Sequence, residues 1–325
     1  MGLGLIAAAC GEAADEVAPT GPEEVVEAPP PGRTWERSLI FVGGSPDSLL
    51  IVPTVFEAQA RPGGVDRRIR AWLHRSGAWE SFLDESWQTP ETSSPWRLLP
   101  RPSMRLVVGQ EDAIVRLIHE TEARSLEVEL LDTRAEWSAS TNEALALSDG
   151  RLQLSSAEVD GVVFDLNRAR ETADGPAGDF TVLVSGDSLQ IVLHTPQVQD
   201  LEIDSVPLEP WGGFVRANFR TIPVTDAVID WTARQAFYEA RRDVPRGWAI
   251  SSAQAGLWVS LRVQTALLSA GAGPGPRFPV EGLFTVTGRV VLEGLEYPVS
   301  GLYRHTQGWP GRPTAAAPDP GGAAP

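Results

Sequence analysis

Lysine is absent: all 27 basic residues of this 325-residue chain are arginine, against 43 acidic residues, for a formal net charge of −16. Schiff-base lysines, P-loop lysines and Ser-Lys dyads are thereby excluded. A single cysteine, Cys10, rules out disulfide frameworks, thiolate zinc sites and CxxC redox pairs. The acidic balance argues against nucleic acid or anionic lipid as partner, since both reward clustered positive charge. No apolar run reaches roughly 18 residues, the minimum for a membrane-spanning helix. His74, His119, His194 and His305 are scattered without HxH or HExxH spacing, so no metal site and no cofactor is expected. No GxSxG motif occurs, and proline interrupts the glycine-rich Gly271–Pro276, which reads as a loop and not as a phosphate cradle. Asp160, Asp165 and Asp187 fall where turns are expected.

What is present first is an address. Small apolar residues, Leu5-Ile6-Ala7-Ala8-Ala9, lead directly into Cys10. This resembles the lipobox of bacterial lipoproteins, which implies Cys10 as lipid-attachment residue and a bacterial cell-envelope location, anchored by lipid only. The pattern departs at Ala7, where leucine is usual, and in lacking a basic residue ahead of the apolar run. Residues 11–34 are acidic and rich in Ala and Pro, ending in Pro29-Pro30-Pro31-Gly32. Such a segment buries too little apolar surface to offset its chain entropy and is expected to be a tether. The Ala/Pro/Gly stretch 309–325 is expected to be a second disordered tail.

Between the tails the chain reads as strands. Period-two alternation marks Leu126-Val128-Leu130, Leu152-Leu154 and Leu257-Val259-Leu261-Val263, with turn signals every 8–12 residues or so, the spacing of antiparallel sandwiches and barrels. Ile114-Arg116-Ile118 also reads as a strand, and a helix around Arg234–Arg242 stays open. Phe180, Val182 and Val184 are expected to share a face with Leu189, Ile191 and Leu193 across a two-residue Gly186-Asp187 turn. With a turn at Glu293-Gly294, Leu292 pairs Leu295, Val290 pairs Tyr297, Gly288 pairs Val299 and Phe284 pairs Tyr303. His305 then shares their apolar face, while Thr285, Thr287, Arg289, Ser300 and Arg304 face water. The break Ala173–Gly178 separates two halves, 35–175 and 176–308.

The segment Val286–His305, a glycine-containing strand, a short turn, then Val299-Ser300-Gly301 and a closing Tyr303-Arg304-His305, resembles the closing hairpin of the AttH-like and hydroxyneurosporene synthase-like group of tandem lipocalin-like proteins. Leu39–Trp87, with Arg70-Ala71-Trp72-Leu73 and Gly77-Ala78-Trp79, resembles the start of that group's first barrel. The His-Ser-Trp ending of some relatives is replaced by His305-Thr306-Gln307. The resemblance implies an all-β fold of two lipocalin-like antiparallel β-barrels in tandem and a site for an apolar molecule.

Eleven tryptophans against three tyrosines agree with an aromatic-lined interior. The ligand-site candidates are Trp72, Trp231, Trp258, Tyr297, Tyr303, Arg304 and His305. The arginine groups Arg67-Arg68-x-Arg70, Arg168-x-Arg170 and Arg241-Arg242 are read either as receivers of an anionic head group or as surface ion pairs. The leading expectation is an envelope lipoprotein that binds or carries a hydrophobic small molecule, lipid or isoprenoid, in a barrel or inter-barrel cavity. An isoprenoid-modifying enzyme using a buried acid of raised pKa, a residue the sequence does not identify, and an envelope scaffold that recruits a protein partner stay open as alternatives.

Overall fold

The computed structural model describes residues 33–308 except for 45–47, 110–112, 122–123, 141–142, 156, 171–177, 196–209 and 273–275. The lipobox with Cys10, the acidic tether up to residue 32 and the tail 309–325 lie outside the described residues. Within them, seventeen strands and no α-helix are found.

The first nine strands are β1 (Thr34–Gly43), β2 (Leu50–Arg61), β3 (Gly64–Arg75), β4 (Ala78–Thr89), β5 (Met104–Val108), β6 (Ile114–Thr121), β7 (Arg124–Ser140), β8 (Glu143–Leu154) and β9 (Ala157–Arg170). They form one antiparallel sheet in the order β4-β3-β2-β1-β9-β8-β7-β6-β5. This sheet curls around its own core of Leu39, Phe41, Val52, Ile69, Leu117, Leu126 and Val163 but leaves β4 and β5 as edges, a half-barrel. The other eight strands are β10 (Phe180–Ser185), β11 (Leu189–His194), β12 (Trp211–Ala217), β13 (Arg220–Phe237), β14 (Arg242–Ser252), β15 (Leu257–Ala270), β16 (Val280–Leu292) and β17 (Leu295–Gln307). These close into an up-and-down barrel through the β10–β17 pair.

The closing hairpin has the register its alternation predicts, Leu292 on Leu295 through Phe284 on Tyr303. Its turn residues Glu293 and Gly294 both have positive φ, 51° and 83°, the requirement of a two-residue type I′ turn. The β10–β11 hairpin corrects the expectation. Residues 186–188 make a three-residue connection, and Ser185 pairs with Leu189. A one-residue shift in pairing moves a whole strand to the other face. Phe180 and Val182 therefore pack outward toward the half-barrel, whereas Leu189, Ile191 and Leu193 fill the barrel. The helix left open near Arg234 does not form: β13 runs on to Phe237 and pairs with β14, and Phe237 packs with Ala240, Val244 and Val280 over one barrel end.

The water-facing assignment of the closing hairpin is corrected as well. Arg289 is exposed, but Thr285, Ser300 and Arg304 are buried, because that outer barrel wall packs against the half-barrel. The contact has three zones along its strands. At its centre Ile40, Val55, Phe164 and Leu166 of the sheet meet Phe180, Val182, Leu283 and Leu302 of the barrel, with Trp72 among them. At one end lies a buried charge layer of Glu36, Glu57, Arg70, Arg168, Glu281 and Arg304. Its ties are reciprocal: Arg304 of the barrel reaches Glu36 of the sheet at 2.7 Å, and Arg70 of the sheet ion-pairs with Glu281 of the barrel. Arg304 also holds Glu281 at 2.8 Å, Arg70 holds Glu57 at 3.1 Å, and Arg168 pairs with Glu36. The guanidinium groups of Arg168 and Arg304 lie 5.3 and 5.8 Å from the Phe180 ring centre. The third zone is an open cleft.

Two consequences are measurable. A Cβ on Gly301 would stand 2.0 Å from the Val182 carbonyl oxygen across the barrel seam, so Gly301→Ala is expected to cost at least about 2 kcal/mol in urea unfolding, as overpacking against backbone does. Replacing Arg304 by Met removes the cation that Glu36 and Glu281 share and leaves three carboxylates of the layer against Arg70 and Arg168. The expected loss is about 3–5 kcal/mol, against under about 1 kcal/mol for Arg68→Met at the exposed Arg68–Asp84 pair. Equal losses for the two variants would refute the charge layer as a clamp.

Candidate functional site

The sequence-predicted site residues separate into three places. His305, Tyr303 and Trp231 come together inside one end of the barrel. His305 Nδ1 is 2.8 Å from Asp179 Oδ2, and Trp231 meets the imidazole edge-on at 5.3 Å. Asp179, directly before β10, also accepts hydrogen bonds of 2.7 Å from the Thr306 backbone N–H and from its hydroxyl. One carboxylate thus fastens the start of β10 to the end of β17, the two strands that close the barrel. Tyr303 stacks on Trp248 at 4.0 Å and lies 5.8 Å from Trp211. Burial, reinforced by the Asp179 carboxylate, pushes its phenol well above the usual tyrosine range. These groups are buried in a barrel filled by Trp211, Trp248, Phe284 and the aliphatic residues around them. Tyr297 sits inside the same barrel toward the opposite, turn end.

Arg304 and Trp72 form the second place. Arg304 belongs to the charge layer; burial disfavours its charge, but Glu36 and Glu281 outweigh that and hold it protonated. The Arg70 guanidinium lies 5.2 Å from the Trp72 ring centre, so Trp72 borders both the layer and the apolar centre. Of the arginine groups, Arg70 and Arg168 are buried in this layer, while Arg67 hydrogen-bonds Thr89 and the Arg97 carbonyl. Trp258 marks the third place, the outer barrel wall: it is 40% exposed and the Arg289 guanidinium lies 5.7 Å from its ring centre.

That wall borders the cleft. Its volume is about 1110 Å³, and it opens between β1, β8 and β9 on one side and β15–β17 on the other. Val42, Leu49, Leu131 and Val162 supply apolar lining from the sheet; Ser260, Arg262, Thr287, Arg289 and Ser300 face them from the barrel, with Val184 beside Ser300. Arg134 spans one side, ion-paired with Asp149 of the sheet and with Asp187 of the β10–β11 connection at 3.1 Å. Gly43, Gly161 and Gly150 align across β1, β9 and β8. A Cβ on Gly43 or Gly161 would run into the Phe41 ring at 2.6–2.8 Å, so this row lets Phe41 lie flat beneath the cleft. Sequence reasoning missed Asp179, Arg134 and the cleft wall. The cleft is assembled from strands far apart in sequence, Val42 of β1 opposite Ser260 of β15, and no local spacing signals that; only the glycines left a trace.

A second cavity of about 540 Å³ lies beside the charge layer, lined among others by Glu57, Gln59, Asp66, Arg68 and Arg70. Burial, with Glu281 and Glu36 nearby, raises the pKa of Glu57 despite Arg70. Burial acts on Glu281 the same way, but Arg70 and Arg304 override it and hold its carboxyl down at about 2. No group of three or more metal-ligating side chains is found among the described residues.

His194, buried where β11 faces the sheet, makes an edge contact with Trp137 at 5.9 Å. Burial, then Arg168, drives its pKa down to about 3. A histidine kept neutral in the folded state and titrating near 6.5 when unfolded gives stability that is present above pH 6.5 and lost as pH falls toward 3. Glu281, depressed when folded, adds a further loss from about pH 4.5 downward. Between pH 6.5 and 4.5 the native protein should lose up to about 1.4 kcal/mol per pH unit relative to His194→Leu, read from urea midpoints at a series of pH values. Parallel pH profiles would contradict the assignment.

No family model matches the sequence, and no curated protein matches it. Solved structures do. An AttH candidate protein from Nitrosomonas europaea superposes with a TM-score of 0.54 at 12% identity, over 89% of this chain and 98% of that one. Kievitone hydratase from Nectria haematococca gives 0.49 at 12% identity, over 87% and 94%, and CghA with Sch210972 gives 0.48 at 13%, over 84% and 87%. At these identities the likeness speaks to architecture, and the Nitrosomonas structure carries it: this chain has the AttH-like, lipocalin-like fold.

Proposed function

We propose that this chain binds a small apolar molecule in the cleft between half-barrel and barrel. The observation that carries the reading is the cleft itself, about 1110 Å³, where apolar side chains of the sheet face a more polar barrel wall and charged groups stand among them, close to the upper end of the roughly 300–1,000 Å³ of small-molecule sites. Binding would come from burial of apolar surface against Val42, Leu49, Leu131 and Val162, with orientation set from the barrel wall. The barrel interior is a poorer candidate because its own aromatic side chains fill it. The Cys10 lipobox pattern supports tethering at a bacterial envelope, where such cargo is at hand.

An acid-catalysing enzyme is favoured by one observation, the raised pKa of Glu57. Glu57, however, is ion-paired to Arg70 and lies toward the far end of the interface from the cleft. On β1 the two ends are marked by Thr34 and Val42, eight residues or roughly 26 Å apart. Acid and apolar site are separated, which favours binding over turnover.

The test uses N-phenyl-1-naphthylamine, whose fluorescence rises in apolar surroundings. The protein should bind it at one equivalent per chain. Leu131→Trp, at a position 42% exposed on the cleft wall, should weaken binding at least tenfold with the melting temperature little changed, as expected of a surface substitution. Absence of uptake, or uptake indifferent to Leu131→Trp, would refute the cleft as the site.

A further inference from the structure

The cleft is amphipathic, and the three arginines of its lining, Arg134, Arg262 and Arg289, are unevenly paired with the three carboxylates there. Three carboxylates line it, Asp149, Asp160 and Asp187. Each has an arginine at hand: Arg134 takes Asp149 and Asp187, and Arg151 reaches Asp160 at 3.3 Å. The two remaining lining arginines project from the barrel. Arg262 makes no ion pair with any described residue, and Arg289 reaches only Glu296, at 3.5 Å, while 52% exposed. In a chain of net charge −16, one arginine without an ion pair among the described residues beside another held only by a long, exposed one is an uneven arrangement.

Register places these two side by side. On the paired strands β15 and β16, Ser260 is opposite Arg289 and Arg262 is opposite Thr287. The arginines are thus diagonal neighbours on one face, about 7–8 Å apart at their backbones. Thr287 continues to Ser300 on β17 and Ser300 to Val184 on β10, so a polar row leads from the arginines across the cleft wall. Across the gap are Val42 and Val162, which are apolar.

Taking the cleft as the binding site proposed above, we infer that its ligand is a single-tailed amphiphile with an anionic head group, carboxylate or phosphate, seated between Arg262 and Arg289 with its tail against Val42, Leu49 and Val162. Guanidinium groups suit either head through paired N–H donors. A neutral ligand such as a hydrocarbon or an ester would give Arg262 and Arg289 no anionic partner.

The experiment compares cis-parinaric acid with its methyl ester, fluorescent probes with the same tail, on the full chain and on the double variant Arg262→Gln/Arg289→Gln. Both substitutions are on the surface and should leave folding intact, checked by the melting temperature. The acid is expected to bind at least tenfold more tightly than the ester to the native chain, with that preference shrinking between 0.05 and 0.5 M salt. In the double variant the acid should fall to the affinity of the ester, whose own affinity stays unchanged. Oleate and oleoyl lysophosphatidate should each displace the probe below the concentration needed for oleyl alcohol, and the more effective of the two names the head group. Equal binding of acid and ester to the native chain overturns the head-group inference while leaving the cleft as an apolar site. Failure of both probes to bind overturns the cleft reading itself.

Discussion

The contact between the half-barrel and the barrel is the constraint on which the rest of the structure depends. Each unit buries an apolar core of its own, yet each also carries an apolar outer face that water would not tolerate, and the two faces cover one another. At one end of that contact four charged side chains are taken out of water and two more, Glu57 and Glu281, are partly buried. Such a layer is a weak source of net stability, because desolvation offsets much of the attraction. Its reciprocity gives it another value. A sheet arginine on a barrel carboxylate, and a barrel arginine on a sheet carboxylate, are both satisfied in one relative placement of the two units, so the layer fixes register where apolar packing alone would permit sliding.

Fixing that placement decides where space is left. The barrel closes on Trp211, Trp248, Tyr303 and Phe284, and the Asp179 carboxylate ties its first strand to its last. The half-barrel fills with its own aliphatic residues. The large remaining opening is at the end of the contact away from the charge layer, where the strands diverge and the aligned glycines leave the sheet thin. That the open space lies at the junction of two units, and not within either, follows from both interiors being occupied. The same geometry keeps Glu57, whose carboxyl has a raised pKa, away from the cleft, which is the reason binding is proposed in preference to acid chemistry.

The legibility of the sequence varied with the range of the interactions involved. The hairpin from Phe284 to Tyr303 could be read residue by residue, because a Glu-Gly turn fixes its register and each partner lies within a few residues of the turn. The β10–β11 hairpin could not be read to one residue, because Gly186 permits both a two- and a three-residue connection, and the choice decided which face of β10 joins Leu189, Ile191 and Leu193 in the barrel. Arg304 illustrates the limit. Alternation placed it correctly on the outer wall, and outer walls of isolated barrels face water; only the docking of a second unit turns that position into a buried ion pair.

By itself the sequence determined what is local: an all-β chain through alternation and turn chemistry, the exclusion of lysine chemistry and of cysteine-pair sites through composition, and the inward row that carries Tyr297, Tyr303 and His305. Tertiary structure alone decided that Arg70, Arg168 and Arg304 share one buried layer, that the aromatic row packs a barrel instead of lining a cavity, and that Val42, Val162 and Arg262 face one cleft. The physical reason is separation along the chain. Period and turn type act over a few residues, whereas these groups meet only after two independently curved units have buried their remaining apolar faces against each other.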